Sequence, residues 1–336
     1  MSPKTFKILA AAGALLAGSG ALAGCGSAAV AKDTSHPEWS KLTFTIADNG
    51  GDSTEELSKV SGAFDSAPYK IKFARFDFGP PLVAAAQSGD IDLGSVGDVP
   101  PITGAAKSLG FRVVGVNRSL HPDEALENII VPKGSPIKTI ADLKGKKIAI
   151  PQGSSAHGLA LNAIQSAGLS PKDVKFVFLS PADGQTAFSS GKVDAWSIWN
   201  PQSALAVDQG ARVLVKGLPP LDQSSSYYVA SEKSLNDPVR RAALVDVFKR
   251  LGGAFAWGND HQDEFVKAIS KETGISPDDA KKVLSTFQRR TTAVLPADTA
   301  AEQKLADNFF NAGEIDKRVD FTKVVVNLLP ADYDAH

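Results

Sequence analysis

Pro151-Gln152-Gly153-Ser154-Ser155-Ala156-His157 is the stretch best suited to chemistry. Glycine lets a ligand approach the backbone, the serines bring hydroxyl donors, and a helix is expected to open at Ser155. The first amides of a helix lack intrahelical acceptors and sit at the positive end of its dipole, so they hold an anion without a cationic side chain. Serving only as helix caps is the plainer role for Ser154 and Ser155. His157, in the first turn, could donate to the same anion. Gly97-Asp98-Val99-Pro100-Pro101 is a second glycine-led helix entrance, and Asp48-Asn49-Gly50-Gly51-Asp52-Ser53 a third. Aspartates beside an anion would repel it, unless they cap their helices or the ligand also carries a cation. Trp196 and Trp199, three apart on a strand, face opposite ways, which assigns Trp196 to core and Trp199 to a cleft wall. By the same alternation one of Tyr227 and Tyr228 should face the cleft, and Tyr228 is the one taken. Arg118, Arg289 and Arg290 are candidate cationic partners.

Other chemistries find no support. His36, His121, His157, His261 and His336 are scattered without metal-ligand spacing, so no metal site is expected. No Walker loop, GxGxxG with a downstream acid, HExxH or GxSxG occurs, so no cofactor and no nucleophile–base pair is proposed. The net charge of -1 has both signs interspersed and offers no field to nucleic acid. The expectation is a binder, not an enzyme.

These residues need elements to hold them. From Leu42, short β-branched runs at 42–47, 70–76, 91–96, 112–116, 128–131, 147–150, 174–179, 193–198, 212–215 and 226–230 read as strands. Helical stretches lie between them, at 80–88, 155–167, 181–190 and 201–209, and beyond residue 231 the pattern turns mostly helical. Alternation of this kind predicts an α/β fold with largely parallel sheets covered on both faces. One plan occurs twice: Gly89, Asp92, Ser95 and Asp98 are echoed by Gly191, Asp194, Ser197 and Asn200. Each copy runs from a helix end through a tight turn and a strand to a polar-proline loop. Ligands of open α/β sheets bind outside the carboxyl ends of strands, so two lobes with such loops would face one another across a cleft.

Cys25 is the only cysteine in 336 residues. Before it come Lys4 and Lys7, a short apolar stretch over 8–23, and the small residues Ala23 and Gly24. That order describes a lipoprotein signal peptide over 1–24, cut before Cys25, whose thiol would carry the lipid. An ordinary signal peptide with an incidental cysteine is the alternative. Residues 25–41 read as a flexible tether. The expected location is outside the cytoplasmic membrane, at the cell surface or in the periplasm, held by the N-terminal lipid.

Several stretches together are more specific: Ala86-Gln87-Ser88-Gly89-Asp90-Ile91-Asp92-Leu93-Gly94-Ser95-Val96-Gly97-Asp98-Val99-Pro100-Pro101, Gly134-Ser135-Pro136-Ile137-Lys138-Thr139-Ile140-Ala141-Asp142-Leu143-Lys144-Gly145-Lys146, Gln152-Gly153-Ser154-Ser155-Ala156-His157, and Pro181-Ala182-Asp183 with Val193-Asp194-Ala195-Trp196-Ser197-Ile198-Trp199-Asn200-Pro201. On these residues, from about Leu42 to Pro330, the chain resembles the solute-binding lipoproteins of ABC importers for aliphatic sulfonates. The wider group includes nitrate, taurine and thiamine-precursor binders. The resemblance implies a type II periplasmic-binding fold: lobe 1 over 42–125 and 226–330, lobe 2 over 126–225, and a hinge around a ligand cleft, with crossovers near 124–127 and 221–225. It also implies a monomer that captures a sulfonate for sulfur acquisition and docks on an ABC permease with a cytoplasmic ATPase. The sulfonate would sit on Ser154 and Ser155, walled by Trp199 and Tyr228, with Asn49, Gly97 and Asp98 closing from lobe 1.

Two departures bear on the ligand. The family's aromatic-glutamine pair after strand one is here Ala47-Asp48-Asn49-Gly50, and its Trp-Asp-Pro-aromatic is Trp199-Asn200-Pro201-Gln202. A more polar or larger ligand is implied, and an amine on it would find Asp48, Asp52 or Asp98. Binding of taurine, nitrate or another small organic anion, and a sensor role, are the alternatives. A desulfinase-like enzyme would need a free cysteine thiol, which lipidation of Cys25 removes.

Overall fold

The computed structural model describes residues 35–49, 53–284 and 288–335. The signal peptide, Cys25, Asp52 and most of the tether lie outside the described residues. The tether's far end needs correction, because Pro37–Lys41 is a 3-10 turn that buries Trp39 to 7% exposure beside Tyr69. An indole carries too much apolar surface to be left on a leash when a core face is within reach.

The chain first lays down β1 (Thr43–Asn49), β2 (Lys70–Phe76), β3 (Leu93–Val96) and β4 (Phe111–Ser119). It then crosses to build β5 (Glu127–Val131), β6 (Lys147–Ile150), β7 (Lys175–Phe178), β8 (Ala195–Trp199) and β9 (Arg212–Lys216). A second crossing returns it to the first sheet for β10 (Ser225–Ser231), β11 (Arg289–Thr292) and β12 (Asp334–Ala335). The sheets run β12-β11-β4-β10-β3-β1-β2 and β7-β6-β8-β5-β9.

The sheets are mixed where largely parallel ones were expected. β1 pairs parallel with β2 and β3, and β6 with β7 and β8. β10 lies antiparallel between β3 and β4, and β5 antiparallel between β8 and β9. These are the first strands laid down after each crossing. A chain arriving from the other sheet enters at the end where the parallel strands finish, so it must run back against them.

Each sheet is covered on both faces. One face of the first packs Phe44, Ile46 and Tyr228 against Val247, Phe248 and Leu251 of the long helix Pro238–Asp260. The other packs Val96, Val113 and Tyr227 against Leu82, Ile102 and Phe309 of the helices Gly79–Ser88, Val99–Lys107 and Pro296–Ala312. Among the described residues, no helix is long and apolar enough to cross a membrane.

Candidate functional site

Between the two sheets lies a cavity of about 80 Å³. A water needs roughly 10–15 Å³ of such space, so it holds several waters or one small head group. The ends of parallel strands supply part of its lining: Asn49 closes β1, Gly97 and Asp98 follow β3, Ser154 and Ser155 follow β6, and Trp199 and Asn200 end β8. Strands entering from the crossings supply the rest: Glu127 opens β5, while Asp222, Ser224, Ser225 and Ser226 lead into β10. Arg289, at the head of β11, completes it.

Local chemistry explains how several of these are held. Ser154 is the N-cap residue of the helix Ser155–Ser166, yet its hydroxyl turns inward and donates to the Pro151 carbonyl at 2.7 Å. Ser155 faces the cavity and donates to Glu127 Oε2 at 2.7 Å. Gly97 lies against it: a Cβ there would meet Ser155 Cβ at 2.8 Å. Asp98 caps the helix Val99–Lys107 by accepting from the Val99 amide at 2.8 Å. Ser224 sits in the left-handed region at φ 52, with its amide donating to Asp222 Oδ1. A serine held at positive φ is an uncommon conformation of the kind that clusters at ligand sites. Arg289 is 6% exposed and donates to the Asn117 carbonyl and Ser226 Oγ at 3.1 and 3.3 Å.

The electrostatics are dominated by acids. Burial, reinforced by the Asp222 charge, pushes the Asp98 carboxyl up to about 8. Burial raises Glu127 well above the ordinary carboxylate range, and the adjacent Asp222 adds to it. Behind them Glu302, 1% exposed, is also raised, first by burial and then by the charge of Asp98. Arg289 is the one basic side chain among the described residues lining the cavity.

Of the residues expected at the site, Asn49, Gly97, Asp98, Ser154, Ser155 and Trp199 line this cavity. Two do not. Tyr228 is 1% exposed and packs edge-on against Phe248, with ring centroids 4.7 Å apart. β10 is an interior strand with both faces covered, so alternation sends Tyr227 and Tyr228 into the two cores and neither into the cleft. His157 stands two residues beyond Ser155, which is about 200° around a helix. It points away from the cavity, into a cage of Phe176, Phe178 and Phe309 with centroids 5.1–5.5 Å away. There Nδ1 accepts from the Gly153 amide at 3.3 Å, Nε2 lies 3.4 Å from Glu314 Oε2 without a hydrogen bond, and burial lowers the imidazole to about 4. Asp48 is also elsewhere: its oxygens accept the Thr54 and Glu55 amides at 3.2 Å, opening the helix Thr54–Val60.

Among the candidate cations, Arg118 is paired with Asp298 and Arg290 with Asp334, which leaves Arg289 as the one in the cavity wall. Glu127, Asp222 and the three serines at 224–226 were not foreseen. They lie beside the crossings, where no periodicity marks them.

Two mixed α/β sheets flanking a polar cavity at their strand ends define a solute-binding protein of the periplasmic-binding class. The chain belongs to the NMT1/THI5-like family, whose model matches residues 82–250, and within it groups with the aliphatic sulfonate-binding proteins. A protein of Escherichia coli strain K12, provisionally named aliphatic sulfonates-binding protein, is 35% identical over 252 residues, covering 75% of this chain and 77% of its own. Among solved structures, the alkanesulfonate-binding protein SsuA from Xanthomonas axonopodis pv. citri, bound to MOPS, matches with a TM-score of 0.77 at 31% identity, over 85% of this chain and 98% of that one. The periplasmic aliphatic sulphonate-binding protein SsuA from Escherichia coli gives 0.73 at 32% identity, over 85% and 92%. These relatives are binding proteins, and this chain is one too rather than an enzyme.

Proposed function

We propose that this protein captures an aliphatic sulfonate outside the cytoplasmic membrane and delivers it to an ABC permease driven by a cytoplasmic ATPase, for sulfur acquisition. One observation carries the reading: the helix Ser155–Ser166 opens with Ser154 and Ser155 into a cavity that also holds Arg289, in a chain whose relatives bind sulfonates. A sulfonate offers three acceptor oxygens and no donor, which suits helix amides, a hydroxyl and a guanidinium. Trp199 walls the organic tail, while Asn49, Gly97 and Asp98 approach from the other side.

In this reading lobe 1 (42–125 and 226–330) and lobe 2 (126–225) move about the crossings near 124–127 and 221–225. Ligand touches both lobes only in the closed arrangement and therefore stabilises it. The close approach of Gly97 to Ser155 supports that arrangement, as does the Asn308 amide donating to Asn162 Oδ1 at 2.8 Å. The protein acts as a monomer. The order of Lys4, Lys7, the apolar stretch and Gly24-Cys25 supports export and a lipid on Cys25. Moving Cys25→Ala protein from the membrane fraction to the soluble one is the expected outcome, and its retention on membranes would count against the anchor.

The test of the ligand class is a thermal-shift series with ethane- to octanesulfonate, sulfate and nitrate. Ligand at a hundred times its dissociation constant adds about 2.7 kcal/mol of stability, which such a series resolves. Melting raised by sulfonates and not by the inorganic anions supports the reading. Melting raised by nitrate or sulfate alone contradicts it.

A further inference from the structure

The cavity that Ser155 faces is too small for the whole of an organic sulfonate. Pockets that bury a small ligand usually run from about 300 to 1,000 Å³, and this one is about 80 Å³. A second cavity, of about 330 Å³, adjoins it, and Asn49 lines both. On each side of that boundary the lining passes between the cavities along the chain. Asp48 lines the outer one just before Asn49, and Pro201 lines the outer one just after Asn200 of the inner. The Asn49 Oδ1 is buried without a hydrogen-bond partner, as an amide beside a ligand's path would be. The larger groove against His157 and Phe178 shares no lining residue with the inner cavity.

The outer cavity offers apolar surface and little else. Pro201 and Leu205 supply it at the start of the helix Gln202–Asp208, and Ile269 and Ile275 supply it from the helix Gln262–Thr273 and the turn beyond. Its charged residues are already engaged by the protein. Arg75 pairs with Glu56 and Glu272 at 3.7 and 3.2 Å, Asp48 accepts the Thr54 and Glu55 amides, and Asp279 accepts the Ser276 hydroxyl at 2.7 Å. What this space recognises is therefore apolar area, which gains by leaving water.

We propose that the ligand's organic tail leaves the inner cavity past Asn49 and fills the outer one, where Leu205, Ile269 and Ile275 set which tails are accepted. The tails that fit are uncharged and several carbons long, or comparably bulky. The inference rests on the sulfonate reading for the head group, which the Ser155 helix and Arg289 receive. Trp199 serves the stretch of tail nearest the head, and Leu205, Ile269 and Ile275 serve the rest.

The test is calorimetric titration of the purified protein with ethane-, butane-, hexane- and octanesulfonate. From butane- to octanesulfonate the dissociation constant is expected to fall by up to about fourfold for each methylene buried. Leu205→Ser and Ile275→Ser should each weaken octanesulfonate about fivefold or more and leave ethanesulfonate within about twofold. Affinity that stops rising at butanesulfonate in the wild type overturns the outer subsite and leaves sulfonate capture standing. So do variants that leave the ratio of octane- to ethanesulfonate binding unchanged. If no sulfonate of any length binds, both readings fall together. The wild-type series needs no variant, so a destabilised mutant cannot obscure the result.

Discussion

The two βα units that share a plan, one ending at Gly97-Asp98 and the other at Trp199-Asn200, part company at the residues that line the cavity. Their scaffolding is the same. Gly89 and Gly191 turn at φ 77 and 68. Asp92 exchanges its amide and carboxylate with Thr45 at 2.8 and 2.7 Å, and Asp194 does the same with Lys147 at 2.9 and 2.8 Å. The strands that follow, β3 and β8, occupy equivalent parallel positions beside β1 and β6. At the cavity the first unit offers a glycine and a buried carboxyl, and the second offers an indole and an amide. Turn chemistry is thus a requirement of the fold, shared because both sheets need it. In the proposed reading, selectivity comes from these two pairs of residues, one side of the cavity lending space and a carboxyl and the other an apolar wall.

The largest expected difference lies in the shared aspartates. Asp92 is buried and also holds Ser234 Oγ and the Arg240 guanidinium, whereas Asp194 is half-buried and clamps the Lys147 amide. Asp92→Ala strips Arg240 of its partner and should cost about 3 kcal/mol in urea unfolding. Asp194→Ala should cost about 1 kcal/mol. Equal costs would mean that the two clamps are energetically alike.

The next difference is pH dependence. The folded Asp98, Glu127 and Glu302 carboxyls bind protons more tightly than their unfolded counterparts, so stability present at low pH is lost as pH rises toward about 8 for Asp98. His157 acts oppositely: lowered to about 4, it removes stability as pH falls below about 6.5. Above pH 6.5 the His157 contribution fades, because the unfolded imidazole also becomes neutral, and the carboxyls come to dominate. Ligand-free protein should lose up to about 1.4 kcal/mol per pH unit per proton there. Asp98→Asn should flatten that slope, and Asn200→Asp should steepen it. A slope unchanged by Asp98→Asn would contradict the burial of its charge.

Gly97→Ala places a methyl against Ser155 and should weaken sulfonate binding about tenfold by resisting closure. Trp199→Ala should weaken long-tailed sulfonates more than short ones, with melting little changed because the ring is only half-buried. The smallest contrast lies within the serine pair. Ser155→Ala should weaken binding by about 1 kcal/mol in calorimetry, and Ser154→Ala by less than half of that, since the Ser154 hydroxyl is turned inward onto Pro151 whereas the Ser155 hydroxyl faces the cavity and needs only to turn from Glu127 to the ligand.

The α/β alternation was legible because β-branched runs and glycine turns are local signals, and each of the ten expected strands has its counterpart. β11 was not: Arg289-Arg290-Thr291-Thr292 has no apolar alternation, and it becomes a strand by pairing with β4 and β12. The helix entrance at Ser154-Ser155 was legible because its chemistry lies within a few residues. Tyr228 was misplaced because strand alternation says which residues oppose one another but not which faces are covered. The acidic wall was illegible for a different reason: Asp98, Glu127 and Asp222 meet only through the two crossings, and the sequence around Glu127 and Asp222 has no period that reveals a bend toward a cleft.

The central claim is that the anionic head sits at the Ser155 helix, between the Gly97-Asp98 and Trp199-Asn200 loops. A crystal structure with a bound alkanesulfonate tests it most directly. The account predicts the sulfonate oxygens within hydrogen-bond distance of the first-turn amides or Ser155 Oγ, and the organic tail against Trp199. A sulfonate found instead in the groove on the far side of that helix, against His157 and Phe178, would contradict it.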